Sequence, residues 1–151
     1  MTRKRVCRGA RTISCWGYGQ AYSSYGDFLG GSYNTATGSF AAVLGEANKA
    51  TGYAASVTGG KKNVAEAQTA SVSGGTANKA KAMDSSIGGG SEGFTEGEAS
   101  SITGGLKGTT KGKTSSVSGG AETKQKAKAP PPAEASTARR WDWTPRSPAG
   151  T

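Results

Sequence analysis

One large apolar residue recurs along the chain at a nearly constant interval, shortly before one or two glycines. The members of this column are Phe28, Val43, Val57, Val72, Ile87, Ile102 and Val117, so most steps are of fifteen positions and one is of fourteen. The later units share the similar segments ASVTGG, ASVSGG, SSIGGG, SSITGG and SSVSGG. One further step of fifteen positions toward the N-terminus reaches Ile13 as a candidate first unit. Self-similarity at a short fixed period indicates a repeat architecture.

Each repeat predicts two short strands joined by two tight turns. No segment shows the 3.6-residue apolar stripe of a helix, and each glycine would cost a helix about 1 kcal/mol. Side chains of a strand alternate between two faces, so an inward Val72 places Ala70 inward and Ser71 and Ser73 outward. We therefore predict an all-β fold, a parallel β-solenoid whose coils have fourteen or fifteen residues and stack about 4.8 Å apart.

A second column of each repeat holds asparagine or glycine. Its members are Asn34, Asn48, Asn63, Asn78, Gly93 and Gly108. These two residue types tolerate a left-handed backbone best, so the column predicts a turn position with positive φ. Small residues follow two and four positions later, as at Ala65 and Ala67, where neighbouring coils would approach closely.

Aromatic residues concentrate at one end of the repeats. Seven of the eleven are Trp16, Tyr18, Tyr22, Tyr25, Phe28, Tyr33 and Phe40. Because terminal repeats need caps, residues 13–40 are predicted to form an aromatic cap, with a carbohydrate-stacking or adhesive patch as the alternative. The β-roll repeats are predicted to span 13–120, between a basic disordered N-terminus (1–12) and a Lys/Pro-rich disordered tail (121–151) that holds all five prolines.

The composition leaves room only for a thin fold, and most of the net charge lies outside the repeats. The chain of 151 residues has 25 glycines, whereas Val, Ile, Leu and Phe together number 15, too few for a layered globular core. The net charge of +9 divides into +5 for residues 1–12, +1 for 13–120 and +3 for 121–151. Basic groups confined to the two ends predict no specific nucleic-acid function.

The residue types argue against catalysis and metal binding. The chain has no histidine, which removes Ser-His-Asp and Cys-His catalysis as well as histidine metal sites. Cys7 and Cys15 are eight positions apart, which fits no zinc or redox motif and leaves open whether they form a disulfide. The glycine pairs lack the aspartate of a calcium-binding β-roll. We therefore expect no enzyme activity, no catalytic residue, no metal and no cofactor.

No targeting or membrane segment is visible in the sequence. No apolar run approaches the roughly 20 residues that a membrane-spanning helix needs. The N-terminus has the positive charge of a signal peptide without its apolar segment. We therefore expect no membrane span, and neither a signal peptide nor an anchor is recognisable.

The repeats resemble a known protein family. The units GGSYNTATGSFAAVLG, GEANKATGYAASVTGG and GGTANKAKAMDSSIGGG are similar to the YadA-like head repeats of trimeric autotransporter adhesins, over about residues 20–120. The resemblance implies a left-handed β-roll, a homotrimer, an extracellular or cell-surface location, and an extracellular matrix or cell-surface ligand. The family pattern has a second aliphatic residue two positions after the valine, where this chain has Gly59, Gly74, Gly89, Gly104 and Gly119.

Three hypotheses for the function follow. The first is a non-enzymatic surface or extracellular adhesin-like β-roll head module with a structural or cell-adhesion role. The second is a solenoid that binds ice or a crystal surface through outward hydroxyl groups. Its candidate surface-binding column is Thr58, Ser73, Thr103 and Ser118, beside the serines Ser56, Ser71, Ser86, Ser101 and Ser116. The third is a truncated repeat fragment without a selected function.

Overall fold

The described part of the chain is a parallel β-solenoid without any helix. It is a computed structural model in which residues 14–126 are described, with eight short strands in each of two parallel sheets. The first sheet contains β1 (Ser14–Tyr18), β3 (Phe28–Ser32), β5 (Ala42–Glu46), β7 (Ser56–Val57), β9 (Ser71–Val72), β11 (Ser86–Ile87), β13 (Ser101–Ile102) and β15 (Ser116–Val117). The second contains β2 (Ala21–Tyr22), β4 (Thr35–Ala36), β6 (Lys49–Ala50), β8 (Val64–Ala65), β10 (Lys79–Ala80), β12 (Phe94–Thr95), β14 (Thr109–Thr110) and β16 (Lys124–Gln125). The predicted all-β solenoid is confirmed, and its left-handed winding stays a prediction.

The coils have two lengths. In the first sheet Cys15 aligns with Leu29, Leu29 with Val43 and Val43 with Val57, so the first three coils repeat after fourteen positions. From Val57 onward the strands repeat after fifteen positions. Val43 aligns with Val57, fourteen positions later, whereas Gly45 packs on Gly60, fifteen positions later. Each longer coil therefore contains one additional residue just before this glycine. The additional residues are Gly59, Gly74, Gly89, Gly104 and Gly119. A Cβ added at the last four of these glycines would meet no atom within 4 Å, so a side chain at these positions would point into the open space outside the solenoid.

A single file of aliphatic residues forms the core. The buried members are Leu29, Val43, Val57, Val72, Ile87, Ile102 and Val117, padded by alanines such as Ala70. The prediction was wrong for Phe28, whose side chain is 50% exposed and which aligns with Ala42. Leu29 takes its place because the early coils are one residue shorter, which moves the inward position by one. Cys15 packs against the core, whereas Ile13 lies outside the described residues.

The asparagine column lies inside the solenoid and does not form the turn. Asn34, Asn48, Asn63 and Asn78 are buried, and the residues with positive φ come one position earlier, at Tyr33, Ala47, Lys62, Ala77, Glu92 and Lys107. Asn63 Nδ2 donates to the carbonyl oxygens of Gly59 and Gly75, both at 3.0 Å. Asn63 Oδ1 accepts from Asn78 N at 3.0 Å. The turn prediction was therefore wrong, because a side chain with both donors and an acceptor is needed inside, where backbone groups would lack partners.

Gly93 and Gly108 continue this column with a different packing. Neither glycine has a φ in the left-handed region. In the asparagine column each side-chain oxygen accepts a hydrogen bond from the backbone N of the next coil, and we call this series the amide ladder. The ladder ends where Gly93 N donates to Asn78 Oδ1 at 2.8 Å, because glycine has no side-chain amide. A Cβ added at Gly108 would lie 3.3 Å from Ile102 Cγ2. The coils with glycine in this column have Ile87 or Ile102 in the core, so the additional methylene of isoleucine fills volume that asparagine occupies elsewhere.

The predicted boundaries also change. β16 pairs with β14, so the solenoid continues past residue 120 and includes 121–126. The aromatic cap over 13–40 stays a prediction; among its rings Tyr22 packs against the core, and the others are exposed. The segment 1–12 and residues 127–151, both predicted to be disordered, lie outside the described residues.

Candidate functional site

The middle of the outer surface of the first sheet is a long, narrow strip without charge, which we call the first face. Glu46, the exposed last residue of β5, and its ion-pair partner Lys61 lie beside this strip. It consists of the two outward positions that flank each core residue. One column is Ser14, Phe28, Ala42, Ser56, Ser71, Ser86, Ser101 and Ser116, and the other is Trp16, Gly30, Leu44, Thr58, Ser73, Gly88, Thr103 and Ser118. None of these sixteen residues is charged, although 19% of the chain is. Strand geometry makes the face about 34 Å long, with its two columns about 7 Å apart.

The C-terminal part of the first face carries the predicted surface-binding column. Thr58, Ser73, Thr103 and Ser118 are all exposed, and Gly88 interrupts them. Thr58 Oγ1 donates to the carbonyl oxygen of Ser73 at 2.9 Å, so the next coil holds this hydroxyl in place. The coils from β7 to β15 therefore present hydroxyl groups in two parallel columns.

The N-terminal part of the first face and its two flanking corners are aromatic. Trp16 is 85% exposed and lies on the face with Phe28, whereas the other rings lie at the corners. The exposed rings together form the aromatic band, which consists of Trp16, Tyr18, Tyr25, Phe28, Tyr33, Phe40 and Tyr53. Among the described residues, the other large exposed apolar side chains are Met83 and Leu106. Contiguous exposed apolar patches usually mark interaction sites.

The corner that follows β1 and β3 holds one pair of rings. Tyr33 lies over Gly19, where an added Cβ would be 2.7 Å from the Tyr33 ring. The Tyr18 and Tyr33 ring centroids are 5.3 Å apart with an interplanar angle of 86°, an edge-to-face contact. A side-chain hydrogen bond with Tyr18 raises the pKa of Tyr33. Both rings are thus held in position while about half of each stays in water.

The opposite corner holds three rings in the same manner. Phe40 lies over Gly26, where an added Cβ would be 2.5 Å from the Phe40 ring. Phe40 also makes edge-to-face contacts with Tyr25 at 5.3 Å and with Tyr53 at 5.7 Å between centroids. Glycine beneath the ring is required here, since any side chain at Gly26 would displace Phe40. The sequence therefore positions exposed rings rather than leaving them loose.

The outer surface of the second sheet is charged. Its outward residues include Lys49, Glu66, Lys79, Lys81, Glu96, Lys111 and Lys124. The ion pairs of the described residues connect neighbouring coils. Lys79–Glu66 and Lys111–Glu96 lie on this surface, whereas Lys61–Glu46, Lys107–Glu122 and Lys113–Glu98 lie at the corners. Exposed pairs of this kind contribute about 0–1 kcal/mol each, so this surface is a solvated side of the rod.

Asp27 is the one buried acidic residue in the described range. Its Oδ1 accepts a hydrogen bond from Ala41 N at 3.0 Å, whereas Oδ2 is buried without a partner. Burial raises the pKa of Asp27, and the hydrogen bond from Ala41 lowers it by a smaller amount. In its inward column Asp27 is followed by Ala41 and then by Ala55, so among the described residues no second carboxyl group lies beside it in this column.

Sequence reasoning missed the first face as a continuous surface. The signal was present, because counting fourteen positions per coil at the N-terminal end aligns Trp16, Gly30 and Leu44 with Thr58. Within residues 14–126, no group of three or more His, Cys, Asp or Glu residues could hold a metal ion. The same residues include no helix able to span a membrane. No protein-family model matches the chain, and no curated protein is significantly similar to it in sequence.

Proposed function

We propose that this chain is a non-enzymatic adhesin-like module, displayed at a cell surface or outside the cell, that binds an extracellular matrix or cell-surface ligand through the aromatic band. One observation carries the proposal: seven aromatic side chains stay exposed on the first coils of a regular scaffold. Fully burying such a side chain is worth about 1.5–3 kcal/mol, so leaving Trp16 mostly exposed and the other six about half exposed is a cost to an isolated chain that a bound partner offsets.

The scaffold is suited to display. Backbone hydrogen bonds join each coil to the next, as from Thr58 N to the carbonyl oxygen of Val72 at 3.0 Å, and rings on successive coils keep a constant spacing. The proposal includes a homotrimer, which the resemblance of the repeats supports. The open space beside Gly74 and Gly89 leaves room for a neighbouring chain at that edge.

Adhesion of protein-coated beads tests this function. Beads carrying the full chain should adhere to a surface of extracellular matrix or to cultured cells, and light scattering should give three times the chain mass. The double variant Trp16→Ser/Tyr33→Ser should lose most adhesion, because it removes two rings of the aromatic band. The matched control Met83→Ser/Leu106→Ser removes two exposed apolar side chains outside the band and should adhere normally. Equal loss in both variants, or no adhesion by the unmodified chain, would refute the proposal.

A second candidate function is binding to ice or another crystal surface. The observation that favours it is the register of exposed hydroxyls in the coils from β7 to β15. The full chain should then lower the freezing point of water below its melting point, and Thr103→Lys should abolish the effect. Zero hysteresis at millimolar protein would remove this candidate.

A further inference from the structure

Charge is absent from the first face itself but present on the rest of the rod, including the corner beside it where Glu46 pairs with Lys61. The first face holds no charged residue over its whole length, whereas the outward residues of the second sheet include Lys49, Lys81 and Glu96. A solvated surface needs no such separation, because charged side chains favour solubility wherever they are exposed. An uncharged strip on a charged rod fits a partner that is itself uncharged, since an acidic or basic partner would be met by opposite charges.

The shape of the first face limits the partner further. The face is about 34 Å long but only two outward positions wide, about 7 Å. A globular protein partner usually covers about 800 Å² in a patch of comparable width and length. A strip this narrow instead fits one extended polymer chain lying along the axis of the solenoid.

The chemistry of the first face changes along the same axis. Trp16, Phe28 and the neighbouring corner rings offer apolar surfaces, and the coils from β7 to β15 offer Ser and Thr hydroxyls. A sugar ring has an apolar side made of C–H groups and an edge made of hydroxyls, so it is satisfied by both kinds of surface. The corner rings Tyr33 and Phe40 are also held in place over Gly19 and Gly26 by edge-to-face neighbours, which lowers the ordering cost of binding to these rings.

We propose that the first face binds a single chain of a neutral polysaccharide along the solenoid axis, with sugar rings on the aromatic band and sugar hydroxyls on the Ser/Thr columns. This inference rests on the proposed adhesive function and names the ligand class of that surface. Because no charge on this face takes part, the binding should not depend on salt, unlike attraction of polyanions to the lysines of the chain.

Affinity electrophoresis of the full chain in native gels tests the inference. The probes are hydroxyethyl cellulose, dextran, mannan and laminarin, with heparin as an acidic comparison. At least one neutral probe should retard the protein, with the same apparent Kd in dilute buffer and at roughly 0.5 M salt. Retardation by heparin should weaken strongly over the same salt range.

Two matched lysine substitutions locate the binding. Ser71→Lys places a charge in the middle of the first face, whereas Val64→Lys places the same charge on the second sheet, in the column that already holds Lys49 and Lys79. We expect Ser71→Lys and Trp16→Ser each to raise the apparent Kd about tenfold, which corresponds to about 1.4 kcal/mol. Val64→Lys should stay within about twofold. Circular dichroism of each variant confirms that the strands are retained.

Three results would overturn the inference. The first is that none of the four neutral probes retards the protein. The second is that Ser71→Lys and Val64→Lys raise the apparent Kd for the polysaccharide equally. The third is a change of oligomer mass in Ser71→Lys without any polysaccharide binding, which would make the face an interface between copies of the chain. If bead adhesion persists, the first and third results show that the ligand class is wrong, the second shows that the polysaccharide binds elsewhere on the chain, and in each case the proposed function stands.

Discussion

Replacing Asn63 by alanine tests the buried amide ladder directly. Asn63 is fully buried, and its amide makes three hydrogen bonds, with Gly59 O, Gly75 O and Asn78 N, each at 3.0 Å. A neutral hydrogen bond contributes about 1 kcal/mol net, and a buried group left without a partner costs about 1–3 kcal/mol. Asn63→Ala should therefore lower the free energy of unfolding by about 3 kcal/mol. At about 4 °C per kcal/mol for a domain of this size, Tm should fall by about 12 °C.

Urea unfolding followed by circular dichroism measures this change. The control is Ser73→Ala, because Ser73 is exposed on the first face and such substitutions stay within about 0.5 kcal/mol. A loss below about 1 kcal/mol in Asn63→Ala, with an unchanged control, would show that the ladder does not stabilise the coils as argued.

A compensating substitution extends the same prediction. Where the column holds Gly93 or Gly108, the core residue of that coil is isoleucine. In the unmodified chain, Val57→Ile should destabilise, because the extra methylene has no room beside Asn63. In an Asn63→Gly background the same change should stabilise by about 1 kcal/mol, because it fills the vacated volume. An effect of the same sign in both backgrounds would refute the volume argument.

Three further predictions concern single positions. Gly75→Ala should lower the free energy of unfolding by about 3 kcal/mol, because φ is +86° and the new Cβ would lie 2.1 Å from a carbonyl oxygen of the next coil, whereas Gly74→Ala should be nearly neutral in the same urea assay. Leu29→Ala should lower the free energy of unfolding by about 3 kcal/mol and Phe28→Ala by less than about 1 kcal/mol. The reverse order would show that Phe28, and not Leu29, is the core residue of its coil. The pKa of Asp27 is raised above its ordinary value of 3.8, so the folded state holds this proton more tightly than the unfolded state, and stability falls as pH rises through the raised pKa. Asp27→Asn should therefore raise stability at neutral pH and remove that part of its pH dependence, which unfolding at pH 4 and at pH 7 would reveal.

The repeat itself was readable from the sequence because it depends on local chemistry. Val72 and Ile87 recur at the coil length, and serines alternate with them as side chains alternate on a strand. Glycine frequency excluded helices for the same local reason. These features identified a parallel solenoid and its aliphatic file without any knowledge of which residues touch across coils.

Contacts between coils decided the rest. Phe28 and Leu29 are adjacent and both apolar, and only the register with Val43 shows that Leu29 is the inward one. Asn63 has the residue type of a turn, yet its amide is drawn inward because carbonyl groups from two coils need a donor there.

Part of the candidate site was likewise predictable from the sequence, and part required the structure. The hydroxyl column at Thr58 and Ser73 followed from strand alternation alone. That column continues through Leu44 and Gly30 to Trp16. This continuation could be recognised only once the structure showed where the coil length changes by one residue. Sequence thus determined the coil and its alternation, because these depend on neighbours along the chain. The uncharged face was decided by the tertiary structure, because it depends on residues a whole coil apart.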